Sequence, residues 1–233
     1  MLRALLFDLD GTLMDHEGAR DAALVLHLPA AREAAIASEW NRLETLHYDE
    51  YAAGRISFRE QRRRRVRGIH AALGQAAPDD AAADAWFAAY LDRYREGWRA
   101  FDDVAPALAA VAAAHPDLAL GVITNGEGEP QRAKLAAIGL ADRFPVVVCS
   151  AELGVAKPDP RIFVHACERL GVAPSAAAYV GDRLDFDAHG AAGAGLRGIW
   201  LDRLGAAAAA PAGVSTIATL HELSAALAAP TAG

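Results

Sequence analysis

Lysine is nearly missing from this chain of 233 residues: of its 23 basic side chains only Lys134 and Lys157 are not arginine. Where Arg is the default for surface charge, a lysine marks a place that wants a compact ammonium. Cysteine is as scarce. Cys149 and Cys167 stand in no CxxC or zinc-type spacing, which excludes a disulfide framework or a cysteine-built metal site and leaves buried, reduced thiols. No segment has the roughly 20 uninterrupted apolar residues of a membrane span. The opening MLRALLFDLD lacks the apolar core and cleavage site of a signal peptide, so a cytoplasmic location with no membrane partner is expected. A net charge of −7 provides no phosphate-neutralising surface, which excludes a dedicated nucleic-acid binder. Also missing are HExxH, GxxxxGK[ST] and GxSxG, and with them zincin, P-loop and α/β-hydrolase chemistry.

What is present is apolar residues, 53% of the chain, enough for one full core and a smaller second one. Residues 3 to 8 read as a buried strand, and the next comparable run, LALGVIT at 118–124, comes far beyond the dozen or so residues that a parallel crossover needs. Between them the pattern is helical, at about 17–28, 30–47, 57–73 and 79–97, with breaks at Pro29, Gly54 and GQAAPDD. This predicts a small helical bundle over 16–100 inserted into a core made of 1–15 and 101–233. A helix near 103–114 leads back into that core. From 118 strand and helix alternate: strands at 118–124, 145–149, 177–181 and 197–201, helices at about 129–139, 159–171, 186–194 and 219–228. Such alternation reads as an α/β fold, a Rossmann-like parallel sheet covered by helices, with ligands beyond the carboxyl ends of the strands. The low-complexity GAAAAAPAG at 205–213 reads as a loop.

Four polar clusters fall on that edge. Asp8 and Asp10 end the first strand; i and i+2 of an extended segment project to one side, and Gly11 permits a sharp turn. Two carboxylates that close are costly unless a cation lies between them or one keeps its proton, although the same DxD spacing also occurs in surface loops. Thr124, Asn125 and Gly126 end the second strand, where a hydroxyl and backbone N–H groups can hold phosphate oxygens. Lys157 follows the third strand in SAELGVAKPDPRIF. Asp182 ends the fourth in YVGDRLDFDAHGA, with Asp185 and Asp187 beyond it, each either a helix cap or a metal support. His189 reads as a helix-surface residue.

FDLDGTL, VITNG, VAKPDPRIF and VGDRLDFD, in that order, resemble the four motifs of the haloacid dehalogenase-like hydrolase superfamily, and the helical insert resembles that family's cap. The resemblance covers the whole chain. It implies Asp8 as nucleophile, Asp10 as general acid and base, Thr124 with Asn125 and Gly126 as phosphate binders, Lys157 as charge neutraliser, and Mg2+ held by Asp8, the Asp10 carbonyl and Asp182, with Asp187 in support. Phe186, where many relatives carry a polar residue, weakens the case for Asp187. A phosphatase acting on a small phosphorylated metabolite, such as a sugar phosphate or nucleotide monophosphate, is expected, as a monomer or homodimer. Dehalogenase, phosphomutase and non-catalytic binding readings remain alternatives. Asp10 favours the phosphatase, because displacing halide needs no proton donor and dehalogenases of this family usually lack that residue.

Within the insert, GRISFREQRRRRVRG carries seven arginines from Arg55 to Arg67 and one acid. Helical phase spreads them around the helix, predicting a mostly solvated face, with a clamp on an anionic substrate as the alternative. Trp40, Tyr48, Trp86, Phe87 and Tyr90 are expected to pack inside the bundle.

Overall fold

Six parallel strands form one sheet in the order β3-β2-β1-β4-β5-β6 in the computed structural model, which describes residues 1–205 and 213–229. Along the chain, β1 (Ala4–Phe7) is followed by four helices, α1 (His16–His27), α2 (Ala34–Ala52), α3 (Phe58–Ala72) and α4 (Asp80–Glu96). Then come α5 (Val104–Ala114), β2 (Ala119–Thr124), α6 (Gly128–Ala137), β3 (Val146–Cys149), the single turn α7 (Ser150–Leu153), α8 (Pro160–Leu170) and β4 (Ala177–Gly181). The short α9 (Gly190–Gly193), β5 (Arg197–Leu201), β6 (Ser215–Ile217) and α10 (Leu223–Ala228) complete the order. By internal packing the chain divides into two units, Met1–Asp15 with Arg99–Gly233, and His16–Trp98.

In the sheet unit, β1 and β4 are buried at every residue, which is why ALLF and AAYVG carry no polar alternation. β1 pairs with β2 and with β4, Phe7 lying opposite Val122 and Val180. The winding therefore reverses at β1, and the crevice that this opens lies at the carboxyl ends of β1, β2 and β4. α8 illustrates how local sequence sets an element: Asp159 caps it by accepting the Arg161 N–H at 2.9 Å, Pro160 occupies the first turn, and Gly171 ends it in the left-handed region. Its Ile162, Phe163, Ala166 and Cys167 form one buried face. Cys149 and Cys167 are buried free thiols, both pushed up to about 11 by that burial.

Two elements depart from expectation. β6 is a sixth strand, three residues long with only Ile217 buried, too short to carry a pattern. Residues 184–189 form a π-helical turn ahead of α9 rather than one continuous α-helix. That turn is wound about the Asp187 carboxylate, which accepts the Arg183 N–H at 3.0 Å while the Asp187 N–H bonds the Arg183 carbonyl at 2.7 Å. Of the GAAAAAPAG stretch, residues 206–212 lie outside the described residues.

The helical unit packs α2 on α3, α1 on α4 and α3 on α4. Ser57 caps α3 through the Glu60 N–H at 3.1 Å, and Asp79 caps α4 through the Ala82 N–H at 2.8 Å. The helix expected over 30–47 is broken near its start. Pro29–Arg32 form a 3-10 turn, Glu33 is extended, and α2 then runs from Ala34 to Ala52. Trp40, Phe87 and Tyr90 are buried and their rings meet at 5.1–6.3 Å, whereas Tyr48 and Trp86 are half-buried. The arginine run is only in part the solvated face its phase predicts: Arg55 and Arg59 are exposed, but most of the run is paired. Arg59 and Arg63 both bond Asp84, Arg63 and Arg67 reach Asp80, and Arg64 pairs with Glu50 and Glu60. Arg65, only 6% exposed, lies 2.8 Å from Glu44. The run stitches α3 to α2 and α4.

Candidate active site

Four chain segments meet at the strand ends, the first of them 149 residues from the lysine it meets, and their shared centre is Lys157. Its ammonium lies 2.6 Å from Asp8 Oδ1, 2.6 Å from Asp187 Oδ1 and 2.8 Å from the Tyr179 hydroxyl. A lysine has three N–H donors, and each has an acceptor. Asp8 directly follows β1, Asp187 sits in the π-turn beyond β4, and Tyr179 reaches across from the middle of β4, its ring held edge-on by Phe163 at 5.1 Å.

Asn125, expected to bind substrate, bonds the Lys157 backbone with its side chain. The Lys157 N–H donates to Asn125 Oδ1 at 2.8 Å, and Asn125 Nδ2 donates to the Lys157 carbonyl at 3.0 Å. A side-chain amide thus holds the lysine's own backbone. Gly126 is also explained by a neighbour, since a Cβ there would come within 2.6 Å of Gln131 Nε2. Thr124, 1% exposed at the end of β2, accepts a hydrogen bond from that same Gln131 amide at 2.6 Å.

Asp182 follows Gly181 at the end of β4, its carbonyl accepting the Trp200 indole N–H at 2.9 Å. Its carboxylate faces the turn after Asp10. Gly11 there has φ 88°, a Cβ on it would come within 2.5 Å of Asp182 Oδ2, and the Thr12 hydroxyl donates to Oδ1 at 3.4 Å. Asp8, Asp182 and Asp187 each offer an oxygen within 4.8 Å of the others. Asp185 points away, its side chain 85% exposed and paired with the exposed His189.

The electrostatics follow from three carboxylates around one ammonium. Burial works to lower the Lys157 pKa, but Asp187 and Asp8 outweigh it and the ammonium is held above its ordinary value. Burial pushes the Asp8 carboxyl well above the usual carboxylate range; Lys157 pulls it back, and Asp187 and Asp182 push it further. Asp182 is raised to about 6, by burial first and then by the Asp187 charge. The donor set is all oxygen and carries surplus negative charge, which fits a hard divalent cation. Asp187 is poorly placed as a direct ligand, because one of its oxygens already serves Lys157 and Tyr179 and the other the Arg183 N–H.

Asp10, two residues beyond Asp8, does not face Lys157. Lys134 Nζ lies 2.8 and 2.7 Å from its two oxygens, and Gln131 Nε2 lies 3.2 Å from Oδ2. The chain's two lysines thus serve its two leading aspartates, one each. Gln131, Lys134 and Tyr179 escape motif reading; rarity marks Lys134, and Tyr179 is the one polar tip in an aliphatic strand.

The model of the family described as haloacid dehalogenase-like hydrolase matches residues 2–195. A phosphoserine phosphatase of Thermus thermophilus is 37% identical over 188 residues, 79% of this chain and 70% of that one. A glyceraldehyde 3-phosphate phosphatase of Methanopyrus kandleri is 34% identical over 202 residues, covering 84% and 82%. Among solved structures, a 2-haloacid dehalogenase of Pseudomonas syringae superposes with a TM-score of 0.68 at 30% identity, covering 98% of this chain and 99% of that one. With the family model spanning all four strand-end clusters, the chain belongs to the haloacid dehalogenase-like hydrolases.

Proposed function

We propose that the protein is a Mg2+-dependent phosphatase that hydrolyses a small phosphomonoester through a phosphorylated Asp8. The observation that carries this reading is the grouping of Asp8, Asp182 and Asp187 about Lys157, with a second carboxyl, Asp10, two residues from the first. Phosphoryl transfer needs an in-line nucleophile, compensation of charge on the phosphoryl oxygens, and a proton for the leaving oxygen. Each need has a residue.

Asp8 attacks phosphorus and forms the acyl phosphate as the bond to the leaving oxygen breaks; Asp10 gives that oxygen a proton. Asp10 then takes a proton from water, whose oxygen attacks phosphorus and frees Asp8 and inorganic phosphate. Lys157 holds the Asp8 carboxylate and offsets charge on the phosphoryl group, and the Thr124 hydroxyl, accepting from Gln131, keeps its own proton for a phosphoryl oxygen. Asp8, the Asp10 carbonyl and Asp182 would hold Mg2+, with Asp187 orienting Lys157 beside them. Bound there, the cation supplies Lewis-acid compensation of phosphate charge. Its two positive charges and that of Lys157 balance the three carboxylates.

Two of the relatives named above are phosphatases of small metabolites by description, which supports the substrate class. Asp10 separates this reading from dehalogenation, where the leaving halide takes no proton. The helical unit, entering the chain directly after the Asp8–Asp10 turn, is read as a cap that recognises the leaving group. The test is a panel of phosphoserine, glyceraldehyde 3-phosphate, ribose 5-phosphate and uridine monophosphate, each with Mg2+ or with EDTA. Phosphate release is expected with Mg2+ and lost in Asp8→Asn, with the fold kept by circular dichroism. Substantial turnover by Asp8→Asn would overturn the reading.

A further inference from the structure

Both oxygens of Asp10 are gripped from a single helix face. Gln131 and Lys134 stand at i and i+3 on α6, where side chains project together. They are 4% and 8% exposed. Lys134 reaches Oδ1 and Oδ2, and Gln131 reaches Oδ2 with one amide hydrogen and Thr124 Oγ1 with the other. An ammonium this well buried is costly unless paired, and a surface-charge role is excluded by that burial. Gly126 has no side chain where Gln131 packs, so the second strand end is shaped to admit this amide.

The chemistry of the grip is one-sided. An ammonium and an amide NH2 only donate. A proton on Asp10 therefore cannot point at either of these two groups and lies away from them on a carboxyl that is 27% exposed. Gln131 also ties this orientation to Thr124, so the group that gives up the proton and the hydroxyl that holds the phosphoryl oxygen share one anchor.

We infer that Lys134 and Gln131 are positioning residues, which fix the orientation of the Asp10 carboxyl for proton delivery to the leaving oxygen. This rests on the phosphatase reading above. In the step concerned the P–O bond breaks, its electron pair stays on the leaving oxygen, that oxygen takes the Asp10 proton, and Asp10 is left as the carboxylate that Lys134 and Gln131 hold.

The test compares two leaving groups through kcat/KM, which reports steps only as far as phosphoryl transfer. An alkyl alkoxide needs a proton; p-nitrophenolate leaves without one. The probes are p-nitrophenyl phosphate and whichever alkyl phosphate of the panel turns over fastest, with Mg2+ and intact enzyme. Lys134→Met should lower kcat/KM on the alkyl ester about 100-fold, within the range of general-acid contributions, and on the aryl ester about tenfold less steeply. Lys134→Arg, which keeps the donors, should recover most of the loss. Adding Lys134→Met to Asp10→Asn should cost little beyond Asp10→Asn alone. The alkyl-to-aryl ratio does not depend on how much protein is folded, so it can be read even from a weakened variant; if Lys134→Met yields no folded protein, the ratio in Gln131→Leu decides. An unchanged ratio, or a double variant in which both losses multiply, overturns the inference while leaving the phosphatase reading intact. Wild-type enzyme that splits neither ester overturns both.

Discussion

Asn125 and Lys157 close a two-bond ring across the ends of β2 and β3: the lysine's N–H donates to the amide oxygen at 2.8 Å, and the amide nitrogen donates to the lysine's carbonyl at 3.0 Å. The side chain that lies next to Thr124 thus sets where the Lys157 side chain begins. Asn125→Leu frees that backbone. Because a displacement near 1 Å can cost about a hundredfold in rate, kcat should fall roughly 10- to 100-fold. Stability should drop by about 1–3 kcal/mol for the unpaired backbone groups. Asn125→Asp keeps the acceptor but not the donor and should fall between the two. Steady-state kinetics with a urea melt checks both; a change confined to KM would place Asn125 on the substrate instead.

Surplus charge at the site predicts opposite trends for the free and the metal-bound protein. Asp182 is raised to about 6, so between its ordinary value and that pH the folded chain keeps a proton that the unfolded chain has lost. Stability of the metal-free protein should accordingly fall as pH rises through that window. Mg2+ competes with that proton, so the rise in Tm on adding Mg2+ should be small at about pH 5 and larger at about pH 7.5. Asp182→Asn should flatten both trends. A Mg2+ effect equal at the two pH values in the wild type would contradict the assignment.

In the helical unit the sign is reversed. Burial works to raise the Glu44 pKa, but Arg65, His16 and Arg20 outweigh it and hold the carboxyl well below its ordinary value. That stabilisation is present above the unfolded pKa and is lost as pH falls below it. Glu44→Gln should therefore lower stability at neutral pH, by about 2 kcal/mol after allowing for the partial exposure of Glu44. The gap to wild type should shrink in acid. Melting curves from about pH 3 to pH 7 read this directly.

Incubation with 2-chloropropionate should release no chloride, with or without Mg2+, despite the likeness to a 2-haloacid dehalogenase. The same preparation should release phosphate from at least one member of the panel. Chloride electrode readings above the no-enzyme control would revive the dehalogenase alternative.

Much of the sheet unit is legible in the sequence because its strands are buried on both faces and each ends in a polar cluster. FDLD, VITNG and VGD are local strings, and a strand followed at once by charge can be read without a partner. Tyr179, Gln131 and Lys134 are different. Each sits inside an element, and its polar atom matters only because another segment is brought opposite it, 121 residues away for Gln131 and Asp10. The arginine run misleads for the same reason: its phase on α3 is readable, but Asp80, Asp84 and Glu44 belong to other helices, so pairing turns most of an apparent solvated face into a seam. β6 is hidden by size alone.

The placing of the helical insertion bears on how the protein is made. β1, the central strand, has no neighbour close in sequence; its partners β2 and β4 follow after the whole insertion, and Asp8 meets Lys157 across 149 residues. The helices of the insertion close short loops, whereas the sheet cannot nucleate on β1 alone. A nascent chain therefore carries its first aspartates, on an unpaired apolar strand, through the synthesis of the entire bundle. The strand gains its first partner only with β2, and Asp8 gains Lys157 later still, which makes that interval the one in which a chaperone would matter most.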